Sequence, residues 1–273
     1  MELRAIRYDI DDGVAVVTLD RPERLNAWTA RMEYEYAWAL TRAEEDPSVR
    51  VVVITGAGRG FCAGADVKAL DRISEAGDYD EATPPPPDDV PDLATGEVHL
   101  LPSRMRKPVI AAVNGPAAGV GFVVMCAADI RFAAAGAKLT TSFARLGLPA
   151  EHGVSWILVR LLGPGRAADL LLSSRVVLAE EAAAIGLVNA VLPADELLPH
   201  AMAYAKRMAT ELSPASLAVV KRQIYDDMAR DHRAALEWSV AEMKRMVKEP
   251  DFVEGAAALS ERRPTQFGLL GPS

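Results

Sequence analysis

An acid and an imidazole stand side by side in PAEHGVSW, residues 149–156, at the head of an apolar run. Glutamate and histidine are side chains much used to carry protons in enzymes, so Glu151 and His152 are candidate general acid–base groups. The same glutamate also reads as a helix-start acid that complements the macrodipole, and the residue alone does not choose.

Two glycine-rich stretches offer a different chemistry. TGAGRGFCAGADVKAL, residues 55–70, and VNGPAAGVGFVVMCAAD, residues 113–129, each run from a strand end through small residues into a helix. Such a junction leaves backbone N–H groups unpaired at the helix start, where they can bind an anion or polarise a carbonyl. The first lacks both the GxGxxG spacing of a dinucleotide site and the Gly-Lys-Ser/Thr of a phosphate loop. In the second, Val120 lies between Gly119 and Gly121 and presents its N–H at the helix start. Singly, each stretch also fits a tight turn with no chemistry. If the two converge, one N–H from each makes a two-donor oxyanion hole, able to stabilise an enolate.

The elements that must position these groups alternate. Residues 14–19, 51–55 and 109–113 are Val/Ile-rich and read as buried strands, and 29–45 reads as a helix opening on a capping Thr29. Shorter strands are expected at 130–132, 139–141 and 188–191, with helices at 153–162, 165–172 and 179–184. From about residue 197 to 260 the pattern is helical throughout. The expected organisation is an α/β core over residues 1–196 and a helical region over 197–273. Residues 74–96, rich in acids and prolines with no apolar face, are expected to be a mobile surface insertion.

Composition narrows the partners. A net charge of -8 and the lack of a basic, aromatic-interleaved track argue against nucleic acid. The apolar stretch 109–135 is interrupted by Asn114, Pro116, Asp129 and Arg131, so it reads as core and no membrane span is expected. Cys62 and Cys126 have neither metal-ligand spacing nor the makings of a disulfide framework. With acids where a signal peptide needs basic and then apolar residues, the N-terminal stretch also points to a reducing cytoplasm.

RGFCAGADVKAL and KPVIAAVNGPAAGVGFVVMCAADIRFA resemble the two signature segments of the crotonase superfamily, the enoyl-CoA hydratase/isomerase family. The similarity begins at VAVVTLDRPERLNAW and continues through GLVNAVLPADEL to EPDFVEGAAALSERRPTQF. The resemblance implies a crotonase-like spiral of repeated ββα units with a helical C-terminal trimerisation region, in a homotrimer or a dimer of trimers. It also implies a substrate carried as a coenzyme A thioester, with no separate cofactor and no metal. Its thioester oxygen would be held by the N–H groups of Ala65 and Val120, while Leu25, Ala27 and Ala63 would fall along the CoA channel. Asp66 would be a structural acid at a helix start.

Hydratases of this family place one Glu soon after the second glycine loop and another in the next strand-to-helix region. Those positions fall here on Val123 and about Phe143, which cannot titrate. LGLPAEHGVSW instead resembles the segment in which family isomerases keep a single catalytic Glu. The resemblance therefore implies a shift of a double bond from 3-enoyl-CoA to 2-enoyl-CoA, with Glu151 as proton shuttle. Water addition to 2-enoyl-CoA and a non-catalytic acyl-CoA-binding role are the alternatives. His152, next to Glu151 on an expected helix, should point elsewhere and ranks second. Cys62 lacks a nearby basic partner, His99 is isolated, and Arg145 could pair with a CoA phosphate or with Glu151.

Overall fold

The structure, a computed structural model, describes residues 2–78, 87, 90 and 96–271. Its main sheet has six strands: β1 (Ile6–Asp11), β2 (Val14–Leu19), β3 (Val51–Gly56), β4 (Val109–Val113), β6 (Ile130–Ala134) and β9 (Ala190–Leu192), side by side in that order. All pairings are parallel except β1 with β2. The central strands are buried on both faces, so they read as continuous Val/Ile runs, and this is why their positions were evident. β1 was not expected. Only Ile6 of its six residues is buried, and its acidic tip hides the strand pattern.

A smaller sheet joins β5 (Ala117–Ala118), β7 (Lys138–Thr140) and β8 (Val177–Leu178). Two- and three-residue strands have too little periodicity to be read from sequence; only β7 was anticipated.

One face of the main sheet packs on the helices α1 (Ala30–Glu45), α3 (Glu97–Arg104), α4 (Val120–Ala127) and α5 (Val154–Ser173). The other is covered by α7 (Ala194–Glu211), whose Leu197, Ala201, Ala205 and Ala209 recur at helical spacing against Val51, Val53 and Ile110. The expected division at 196/197 thus falls inside a helix that completes the core. Beyond it, α8 (Pro214–Asp226), α9 (His232–Met246) and α10 (Pro250–Glu261) form the helical C-terminal region. Buried Lys221 of α8 ties that region to the core, with Nζ 2.7 Å from Asp129 Oδ2 and 2.9 Å from the Lys107 carbonyl.

Helix breaks follow local chemistry. The two helices expected at 153–162 and 165–172 run together as α5, interrupted at Gly163 (φ 76°, ψ 162°), where Pro164 cannot donate to the preceding turn. α6 (Ala179–Ala184) matches its expected bounds. α2 (Val67–Ala76) takes in Ser74 and Glu75 and closes on Gly77 at φ 69°, so the first residues of the expected insertion are helical. Gly96, its last residue, caps α3, which was not anticipated. Most of the expected insertion between them lies outside the described residues. No described helix is long and apolar enough to cross a membrane.

Candidate active site

Each turn of the chain lays one strand in the main sheet, then one segment along the smaller sheet, then a helix. β3 is followed by Cys62, which bridges Ala117, and then by α2; β4 is followed by β5 and α4; β6 by β7 and a 3-10 turn at Phe143–Leu146. Strand-to-helix junctions therefore stack on one another. Cys62 N–H donates to the Pro116 carbonyl at 3.1 Å, Ala118 N–H to Cys62 at 3.0 Å, and Gly119 N–H to Thr140 at 3.2 Å. The two glycine stretches meet because consecutive turns of a spiral must be neighbours.

Ala65 bridges Trp28. The Trp28 N–H donates to the Gly64 carbonyl at 2.7 Å, and Asp66 N–H donates to the Trp28 carbonyl at 2.8 Å. Successive N–H groups of an extended chain point to opposite sides, so the N–H of Ala65 faces away from Trp28. Val120 opens α4 and has no carbonyl one turn earlier available, because Pro116 accepts from Phe61 and Cys62 instead. Neither amide donates to any acceptor among the described residues, and both residues line one cavity.

Glu151 and His152 line the same cavity. The expectation that adjacent residues on a helix would diverge is corrected here, since neither is helical. His152 adopts the left-handed conformation at φ 51°, Gly153 follows at 69°, and α5 begins only at Val154. With the helix start three residues away, its dipole acts weakly on Glu151. Burial alone raises the Glu151 pKa above the ordinary carboxylate value. The His152 pKa is lowered, again by burial.

The cavity holds two polar groups the sequence reading did not assign. Glu33, on the first turn of α1, accepts a hydrogen bond from Trp28 Nε1 at 3.3 Å; burial raises its pKa and the Trp28 bond opposes the shift. Its helical neighbours Ala30, Tyr36 and Ala37 are apolar, and an acid on such a face is the one signal that could have found it. His99, on α3, is buried with its ring centroid 5.1 Å from Trp28 and 4.1 Å from His152. A β-carbon on Gly96, at φ 82°, would sit 2.8 Å from His152 Nδ1, so glycine is what lets α3 approach. Phe143 lines the cavity and Val123 is fully buried, leaving both expected hydratase positions apolar.

Leu25, Ala27 and Ala63 lie beside this cavity and do not line it. The Ala63 N–H donates to the Leu25 carbonyl at 3.0 Å, and the Ala27 carbonyl accepts from the Arg21 guanidinium. Arg21 also pairs with Asp66 at 2.9 Å, while Asp66 caps α2 by accepting from Lys68 N–H at 3.1 Å. Burial works against ionised Asp66, yet Arg21 and the Lys68 amide hold its pKa below the usual range. The Cys62 thiol is buried and pushed up to about 12, which removes it as a nucleophile. Arg145 is exposed on the 3-10 turn, and no ion pair joins it to Glu151 among the described residues.

The family described as enoyl-CoA hydratase/isomerase matches residues 9–269. A probable enoyl-CoA hydratase of Rhodobacter capsulatus is 36% identical over 98% of this chain and 99% of its own length. The 1,2-epoxyphenylacetyl-CoA isomerase of Escherichia coli is 38% identical over 69% of this chain and 70% of its own length. A Mycobacterium bovis relative, also named a probable enoyl-CoA hydratase, is 40% identical over 68% of this chain, which spans 64% of that relative's length. Among solved structures, an enoyl-CoA hydratase from Polaromonas sp. JS666 superposes with a TM-score of 0.88 at 30% identity, over 97% of this chain and all of that one.

Proposed function

Because the chain belongs to the enoyl-CoA hydratase/isomerase family, with its crotonase fold, we propose that it moves a double bond of an acyl-CoA thioester from the 3 to the 2 position. The N–H groups of Ala65 and Val120 donate to the thioester oxygen and strengthen as negative charge builds there. Ionised Glu151 takes a proton from the α-carbon, giving a dienolate, and the same carboxyl returns it to the γ-carbon. No water enters and no second base is needed. A carboxyl with a raised pKa suits both halves, since it must accept and then release a proton near neutrality. The observation that carries this reading is that Glu151 and two undonated amides line one cavity while Val123 and Phe143 leave the hydratase positions without an acid. Conversion of 3-enoyl-CoA by the wild type, reduced about 10²–10⁴-fold in Glu151→Gln, is the expected result. Full activity in that variant overturns it.

Hydration of 2-enoyl-CoA is the second reading, favoured by one observation: Glu33 gives the cavity a second carboxyl. Water addition to 2-enoyl-CoA that is lost in both Glu33→Gln and Glu151→Gln would select it. A binder without turnover would show heats of thioester binding and no product from either substrate.

We further propose assembly as a homotrimer or a dimer of trimers. Phe252, Val253 and Leu259 leave a large apolar area of α10 in solvent, which supports association. Light scattering on the purified chain tests it, and a monomer at micromolar concentration rejects it.

A further inference from the structure

We propose that His152 is a positioning residue for Glu151: its left-handed backbone, and not its imidazole, keeps Glu151 on the wall of the cavity that Ala65 and Val120 also line. The inference rests on the reading of Glu151 as proton shuttle and names what holds that residue in place.

Residues 151–154 form a tight turn. The Val154 N–H donates to the Glu151 carbonyl at 3.1 Å, and the two residues between are both left-handed, His152 at φ 51° and Gly153 at φ 69°, ψ 13°. A turn whose two central residues both have positive φ is of the I′ type, built most often from Asn-Gly, Asp-Gly or Gly-Gly. Gly153 meets the requirement freely, having no β-carbon. His152 stands where Asn, Asp or Gly is usual. Histidine is among the few side chains enriched at positive φ, whereas a β-branched residue there is an outlier.

The turn decides where two consecutive residues go. Neighbours on an extended chain point to opposite faces, and on a right-handed helix they diverge by about 100°, yet Glu151 and His152 line one cavity. The torsions that relate their β-carbons are ψ of Glu151 and φ of His152. A return of His152 to ordinary negative φ, a rotation of roughly 110°, would swing residue 151 relative to everything after it. What comes after is fixed: Val154 and Leu158 of α5 are fully buried, and a β-carbon on Gly153 would touch Leu100 of α3 at 3.9 Å. Upstream, residues 144–149 are exposed. Glu151 is therefore on the side that moves. The His152 ring, 4.1 Å from that of His99, adds a contact with α3, but the sign of φ is a matter of the backbone and the β-carbon.

The test is steady-state kinetics of the full chain on 3-hexenoyl-CoA with four variants in two pairs. Asn and Val are of similar bulk, and Gly and Ala differ by one methyl, yet in each pair only the first tolerates positive φ. All four lack the imidazole. Misplacing a catalytic group by about 1 Å can cost on the order of 100-fold in rate, so kcat should be about tenfold or more higher in His152→Asn than in His152→Val. It should be about threefold or more higher in His152→Gly than in His152→Ala, with KM within about threefold in every variant. Thermal unfolding verifies that each variant is folded at the assay temperature, and either pair alone suffices. Equal kcat within a folded pair overturns the proposal, and if all four are equally impaired the imidazole itself is what the reaction needs. A difference confined to KM overturns it as well. Glu151→Gln is measured beside them: if it is impaired while the His152 pairs are level, only the positioning role is lost. A wild type inert toward 3-hexenoyl-CoA, or a fully active Glu151→Gln, means that the shuttle reading has failed and the positioning role with it.

Discussion

Gly64 and Gly119 face each other across the two loops so closely that a β-carbon on Gly119 would sit 3.8 Å from the α-carbon of Gly64. The contact brings Ala65 and Val120, one residue further along each loop, to a single cavity. Behind it, a β-carbon on Gly121 would lie 2.3 Å from the Cys62 carbonyl oxygen.

Gly121→Ala must therefore push the loops apart. It should lower kcat/KM by about 100-fold, as expected for losing one oxyanion donor, and cost about 1–3 kcal/mol of stability. Steady-state kinetics and urea unfolding measure the two effects. A variant with wild-type kinetics would mean that the spacing of these loops does not govern activity.

The rate should depend on pH through Glu151. As a base it must be ionised, so kcat should fall as pH drops through a midpoint above the ordinary 4.5. Stability has the opposite sign. A carboxyl whose folded pKa is raised favours the fold when protonated, and that contribution is lost as pH rises through the folded pKa. Glu151→Gln should therefore melt above the wild type at neutral pH and level with it near pH 4. A higher-melting wild type at pH 7 would contradict the buried, unpaired carboxylate.

Glu35 anchors the N-terminal strand. Its Oε2 accepts from the N–H groups of Arg4, Ala5 and Ile6 at 2.9, 2.7 and 2.9 Å, and its Oε1 pairs with Arg31 at 3.1 Å. Glu35→Ala strands three backbone donors and should cost about 3 kcal/mol, on the order of 5–10 °C in Tm. A Tm shift under about 1 °C would show that water replaces the carboxylate without penalty.

Cys62 and Cys126 should be inert in the native protein. Both thiols are buried and raised to about 12, so thiolate is scarce and shielded at neutral pH. Modification by a thiol reagent should proceed only on unfolding. Rapid labelling of native Cys62 would mean the first loop opens often.

Much of the site was legible because its signals are local. Small residues between a strand and a helix announce free amides, and Asp66 reads directly as a cap, its role in the structure. The direction of His152 is hidden from the sequence for a physical reason. Its direction follows from a left-handed backbone at a non-glycine residue, an uncommon conformation that no spacing rule reveals. Glu33 does not stand out in the sequence because an acid in a first turn is also what the helix macrodipole favours, nor does His99, because a single histidine carries no pattern.

The amino-acid order by itself determined the alternation of strands and helices, the two amide-bearing loops and the apolar residues at 123 and 143, since propensity, periodicity and turn chemistry act over a few neighbouring residues. Tertiary structure decided which side chains share the cavity. Glu33, His99 and Glu151 come from separate turns of the spiral, and only the stacking of those turns, fixed by long-range sheet pairing and by glycines at close backbone contacts, sets them around one space.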